Sequence, residues 1–181
     1  FLFVHYGLIN SNYLSQIKTA QKLLLAEKES IINLAKTIVT KINGKRIVAY
    51  GDSVFAGVIE RFRQQLNENS KQLAWHHALP EMNHNELVGW GGGDDSIAVL
   101  IFRSDFDNPR TKIRMDLSQK IFKNYTPTVL ELNAKGANHI EQAFYHILLG
   151  DWISILLAES NDVDPVEIKV IEYLKSELAK V

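Results

Sequence analysis

No cysteine occurs in the 181 residues. Disulfides and thiolate metal sites are therefore excluded, and the lack of a disulfide framework fits a cytoplasmic protein. Neither sign of charge dominates: 20 Lys and Arg against 21 Asp and Glu leave a net charge of −1, which argues against a nucleic acid or an acidic membrane surface as partner. An anionic substrate could still bind, but only through a local cluster of positive groups. No apolar run approaches the ~20 residues that a membrane span needs. There is no internal repeat, no low-complexity tract and no Pro/Ser linker. The opening FLFVHYGLIN lacks an initiator methionine, a basic n-region and a small-residue cleavage site, so it does not read as a signal peptide. It reads like a chain entered midway, a fragment. What is present is 46% hydrophobic and 23% charged, the balance of one domain, or a domain plus an appendage, with a proper core.

Four helices stand out. Asn12 to Ile42 carries Ile17, Ala20, Leu24, Ile31, Ala35, Ile38 and Ile42 at three-to-four spacing, with Gly44 placed as its C′ residue. DNPRTKIRMDLSQKIF opens with Pro109 at N1 and marks one face with Ile113, Leu117 and Ile121. NHIEQAFYHILLGDWISILLAES is apolar on most sides, which predicts a largely buried helix. DPVEIKVIEYLKSEL starts with Asp164, Pro165 and Glu167, a capping-box pattern, and its stripe of Ile168, Ile171, Leu174 and Leu178 is expected to face the core. A fifth helix follows YGDS, with Phe55, Ile59, Phe62 and Leu66 on one face. Between the helices lie KRIVAYG, KQLAWHHAL, SIAVLIFRS and PTVLELNAKG, short apolar runs bounded by turn residues. The central runs do not alternate, so they read as strands covered on both faces. Strands joined by helical crossovers specify an α/β/α sandwich with a parallel sheet.

QLAWHHALPEMNHNELVGW packs three histidines and two glutamates into one stretch. Metal is a poor reading: His76 and His77 are neighbours in a strand and point to opposite faces, and no H-E-x-x-H pattern is present. They read as ordinary strand residues, one packed and one solvated, and His139 and His146 as ordinary helix residues. His84 is expected in the first turn of a short helix entered after Pro80, with Asn83 as cap and Leu87 and Val88 facing the core. There the positive helix end favours a neutral imidazole able to take and give a proton; the plainer alternative is that it only satisfies loop backbone groups. Gly51-Asp52-Ser53 could hold an anion on free N–H groups or serve as a simple N-cap. Glu68, between Asn67 and Asn69 at a helix C-terminus, suits a base if it is shielded from water, and is otherwise an exposed loop carboxylate. Lys175 falls within the apolar sector of the last helix, where a lysine either snorkels or points at an anion or a reacting group.

QLNENSK, LPEMNHNELVGW, LLGDWISILLAE and VDPVEIKVIEYLK, in that order, resemble the C-terminal half of the bifunctional phosphoglucose/phosphomannose isomerases, members of the sugar-isomerase (SIS) superfamily. The resemblance runs from about Gly44 to the end. It implies a SIS-type, flavodoxin-like fold over 44–181, with 1–43 as the connecting segment and long helix from a missing first SIS domain. It also implies a metal-free, cofactor-free aldose–ketose isomerase acting on hexose 6-phosphates through a cis-enediol. The family's catalytic glutamate falls on Glu68, its ring-opening histidine on His84 and its C-terminal lysine on Lys175, with Lys180 close enough to compete. The chemistry suits them. Ring opening needs an acid–base near neutrality, the proton shuttle needs one carboxylate reaching two carbons, and negative charge developing on oxygen needs a cation, Lys175 or Arg61. Gly51 and Ser53 are the substrate-binding candidates on the first turn. The resemblance further implies a homodimer in which His84 reaches the neighbouring subunit's site. Two features depart from the family: its Ser/Thr-rich phosphate loop belongs to the first SIS domain, and Val166 stands where a threonine often follows the D-P pair. A SIS module that binds a sugar phosphate without turning it over is the alternative reading.

Overall fold

The computed structural model describes residues 2–8 and 11–181; positions 1, 9 and 10 of the expected connecting segment lie outside the described residues. A short helix α1 (Leu2–His5) precedes α2 (Asn12–Ile42). Gly44 at φ +74° takes the left-handed conformation that stops α2, and the Lys45 amide donates back to the Ile42 carbonyl at 3.1 Å, as a glycine C′ residue allows. Then come β1 (Arg46–Asp52), a 3₁₀ turn (Ser53–Phe55), α3 (Ala56–Asn69) and β2 (Ala74–Leu79). The chain continues through a 3₁₀ turn (Glu81–Asn83), α4 (Glu86–Gly89), another 3₁₀ turn (Trp90–Gly92), β3 (Ile97–Arg103) and α5 (Pro109–Phe122). It closes with β4 (Val129–Asn133), α6 (His139–Ser160) and α7 (Lys169–Leu178).

The strands form one parallel sheet in the order β2-β1-β3-β4. β1 connects outward to β2, and the chain then returns past β1 to reach β3. Right-handed crossovers put these two connections on opposite faces of the sheet. Accordingly α3 packs with α2 and α6 on one face, where Ile59, Phe62 and Leu66 meet Ile47, Ala49, Leu100, Phe102, Ile38 and Leu149. The other face carries the 81–92 connection and α5, in a cluster of Val48, Tyr50, Ile101, Leu79, Met82, Trp90, Met115 and Phe122. The expected α/β/α sandwich with a parallel sheet is thus observed. Each fully buried Ile, Leu or Phe contributes about 2 kcal/mol through removal from water. Gly51 has a packing reason: a Cβ there would lie 2.5 Å from Ile59 Cδ1, so glycine lets α3 sit against the end of β1.

Three helix expectations need correction. On α5 the buried residues are Thr111, Met115, Ser118 and Phe122, while Ile113 is 59% exposed and Leu117 54%. The aromatic pair Tyr50 and Trp90 decides this, with Phe122 ring centroids 5.1 and 4.6 Å from theirs. The second correction is α7, which buries no residue: its stripe of Ile171, Leu174 and Leu178 lies open on this chain. The third concerns the start of α7. Asp164 Oδ1 accepts from the Val166 amide at 2.9 Å, making an Asx turn rather than the expected helix cap, and the helix begins only at Lys169. No helix among the described residues is long and apolar enough to cross a membrane.

α6 is buried along much of its length, as expected, and His146 is buried with it. Its Nε2–H donates to the Arg103 carbonyl at 3.0 Å, its Nδ1 has no partner among the described residues, and burial pulls its pKa down to about 4. It is therefore a packed neutral residue rather than an ordinary helix position. The unfolded chain takes up this proton first as the pH falls. The stability His146 contributes is therefore full above its ordinary pKa of about 6.5 and is lost between about 6.5 and 4. In urea denaturation, the wild type should lose roughly 2–3 kcal/mol more than His146→Leu between pH 7 and pH 4.5. Parallel losses in the two proteins would remove His146 as the cause.

Candidate active site

Glu68 is the penultimate residue of α3, and its neighbours are all anchored. Asn67 Oδ1 accepts from the amide of Ala74, the first residue of β2, at 2.9 Å. Asn69 Nδ2 donates to Ser154 Oγ on α6 at 2.9 Å, and Ser70 Oγ donates to the Ser154 carbonyl at 2.7 Å. Lys71, at φ +52°, folds back so that its Nζ donates to the Glu68 backbone carbonyl at 2.7 Å. The helix end is thereby fixed while the Glu68 carboxylate remains exposed. It faces a cavity of about 380 Å³ lined by Glu68, Lys71 and Leu73 on one side and by Glu167, Lys169 and Ile171 on the other. The shielding from water that would suit a base has to come from whatever covers this opening.

Lys175 is exposed and lies one turn beyond Ile171 on the same side of α7, about 6 Å further along the axis. Its ammonium has no partner among the described residues, whereas Lys180 Nζ pairs with Glu177 Oε1 at 2.6 Å. Arg61 shares a face of α3 with Glu68, two turns earlier. Its guanidinium is engaged by Asp151 on α6, through Nη1 to Oδ1 and through Nη2 to Oδ2 at 3.4 Å, so its charge is already balanced.

At Gly51 and Ser53, the substrate-binding candidates, the turn is occupied by the carboxylate of Asp52. Asp52 is buried and its Oδ1 accepts from the Val54 amide at 3.0 Å, while Ser53 Oγ donates to the same oxygen at 3.3 Å. Asp52 Oδ2 accepts from the Asn108 amide at 2.8 Å. Asp107 lies close by, and burial, with the charge of Asp52 adding to it, pushes its pKa up. A phosphate would meet carboxylates here. The turn is the N-cap of the plainer reading.

His84 sits between the 3₁₀ turn Glu81–Asn83 and α4, not in the first turn of a helix. The cap of α4 is Asn85, whose Oδ1 accepts from the Glu86 amide at 2.6 Å. Asn83 instead donates to Ser118 Oγ at 2.8 Å, and Val88 is 82% exposed rather than core-facing. His84 is itself exposed, and it belongs to the connection on the α5 face while Glu68 belongs to the α3 face. The sheet thus lies between the two residues. His76 and His77 are both half-buried on opposite faces of β2. Among the described residues no group of three or more His, Asp or Glu is placed to hold a metal ion.

Sequence reasoning passed over Lys71 and Lys169, which line the Glu68 cavity. A lysine three residues after the glutamate, just past the helix end, was the available signal. It also passed over Tyr50 and Glu86, whose side chains bond each other across 36 residues of chain, a contact that periodicity cannot report.

Over residues 31–178 the chain matches the family described as the bacterial phospho-glucose isomerase C-terminal SIS domain. It is 34% identical over 167 residues to a bifunctional phosphoglucose/phosphomannose isomerase of Aquifex aeolicus, covering 91% of this chain and 52% of that protein. Against the protein of the same description from Caldicellulosiruptor bescii it is 32% identical, covering 99% of this chain and 56% of the relative. The chain therefore spans about half the length of these curated relatives. The fold is shared with the crystal structure of a glucose-6-phosphate isomerase like protein from Thermus thermophilus, at a TM-score of 0.73 and 20% identity over 97% of this chain and 59% of that one.

Proposed function

The chain belongs to the family of bacterial phospho-glucose isomerase C-terminal SIS domains, and from that premise we propose that the intact protein interconverts hexose 6-phosphates. Glucose 6-phosphate and mannose 6-phosphate are the aldoses, and fructose 6-phosphate is the ketose. The observation that carries this reading is Glu68: a carboxylate left exposed in a cavity at a helix end whose every neighbour is anchored.

In this reaction His84 opens the sugar ring by moving a proton between the ring oxygen and the anomeric hydroxyl. Glu68 then takes the proton from C2, leaving a cis-enediol, and returns it to C1, while the hydroxyl proton on O2 passes to O1. Negative charge on the enediol oxygens is met by Lys175, since Arg61 is held by Asp151; Lys71 and Lys169 add positive potential at the cavity. Rotation about C2–C3 of the enediol presents either face to Glu68, which would admit both epimers.

The working unit we propose is a homodimer in which each site takes Glu68 from one chain and His84 from its partner. Two features support this: the sheet lies between the residues within one chain, and α7 leaves its apolar stripe uncovered. A cysteine-free chain suits the reducing cytoplasm, the location we propose.

The test is a coupled assay of the intact protein on glucose 6-phosphate and mannose 6-phosphate, with and without excess chelator. Turnover of at least one aldose, undiminished by chelator, is expected. Binding of sugar phosphate without turnover would instead identify a non-catalytic SIS module. Loss of turnover in chelator, restored by zinc, would end the metal-free mechanism.

A further inference from the structure

His84 has no local partner for its imidazole among the described residues, yet the chain on either side of it is tightly held. Asn83 donates to Ser118 Oγ at 2.8 Å, and Met82 beside it is buried. Two residues after His84, Glu86 turns back onto the sheet. One of its carboxylate oxygens accepts the Tyr50 hydroxyl, and the other lies 2.7 Å from His77 Nδ1. Tyr50 and His77 are register partners on β1 and β2, so their side chains emerge side by side on one face, and Glu86 spans both strands. Tyr50 is 1% exposed; burial, and then Glu86, push its phenol pKa up, which keeps the hydroxyl a donor. The same hydroxyl accepts from Trp90 Nε1 at 3.1 Å, four residues beyond Glu86.

We propose, resting on the isomerase reading, that Glu86 is the positioning residue for His84, clamping the segment that carries the imidazole onto Tyr50 and His77. Between the anchors at Asn83 and Glu86 only His84 and Asn85 remain, and Asn85 is occupied in capping α4. The reach of the imidazole is thus set by where Glu86 pins the chain. A lone surface carboxylate would make one mobile contact. Glu86 makes two directed ones, to a buried donor and to a neighbouring strand, and the second hydroxyl contact from Trp90 closes the loop.

The test compares the intact wild type with Glu86→Ala, Glu86→Gln, His84→Ala and the double variant Glu86→Ala/His84→Ala. A misplacement of about 1 Å costs up to about 10²-fold in rate, so Glu86→Ala should lower kcat about 10–100-fold with KM little changed. Glu86→Gln retains an acceptor for Tyr50 and should stay within about fivefold of wild type. Because Glu86 acts through His84, adding Glu86→Ala to His84→Ala should cost nothing further. Hydrogen exchange supplies a readout independent of turnover: amides in 81–90 should exchange at least about tenfold faster in Glu86→Ala, with α3 unchanged and Glu86→Gln like wild type. Unchanged exchange in 81–90, or a full further loss in the double variant, overturns the proposal. Should the intact wild type turn over neither glucose 6-phosphate nor mannose 6-phosphate, it is the isomerase reading that fails, and the exchange result still decides whether Glu86 is the clamp.

Discussion

Glu68→Gln should lower kcat of the intact protein by about 10²–10⁴-fold, the usual contribution of a general base, while KM stays nearly the same. The substitution keeps the shape of the side chain and removes only its ability to take a proton. It should leave the fold untouched, because the groups that hold this helix end are the Asn67 and Asn69 side chains and the Glu68 backbone carbonyl, not its carboxylate. Thermal unfolding should therefore coincide with wild type. Exchange of solvent deuterium into substrate recovered before equilibrium should stop as well, since in the proposed mechanism the same carboxylate carries the proton off and back. A variant within about a factor of two of wild type in kcat would clear Glu68 of the role.

Mixing two inactive homodimers should restore activity. In the proposed homodimer, the Glu68→Gln and His84→Ala variants each have both sites damaged and should be nearly dead. Unfolded together and refolded, they should form heterodimers in which one site holds two intact residues and the other two damaged ones. About half the wild-type rate per heterodimer is expected if the sites act independently. The expectation follows from the topology: Glu68 ends the β1-to-β2 crossover and His84 lies on the β2-to-β3 crossover, on the other side of the sheet. Heterodimers verified by mass and still inactive would mean that both residues serve one site within one chain.

Where local physics was decisive, the sequence was legible. Apolar spacing gave α2 its observed bounds, and Gly44 ended it because glycine tolerates the φ of +74° found there. Phe55, Ile59, Phe62 and Leu66 are all buried, as their period predicted, and the four apolar runs between turn residues are the four strands. Asn-Glu-Asn at the end of α3 could be read as a carboxylate between two amides, though what the amides bind could not. On α5 apolar residues occur on two faces. The buried one was chosen by Tyr50 and Trp90, which are distant in sequence. On α7 the apolar stripe was correctly seen and its burial was not, because amphipathicity reports an apolar face without saying what, if anything, in the same chain covers it. Val88 and the cap of α4 were misread because a segment pinned by Asn83 and Glu86 has its orientation set by those distant bonds.

The amino-acid sequence by itself determined the main elements and the parallel sheet covered on both faces, and it singled out Glu68 and His84 as candidates for proton transfer. It could not tell on which side of the sheet each would stand. That was decided by strand order: β1 pairs with both β2 and β3, so the chain must reverse direction across the sheet between Glu68 and His84. Because crossovers between parallel strands are right-handed, a reversal of direction is also a change of face.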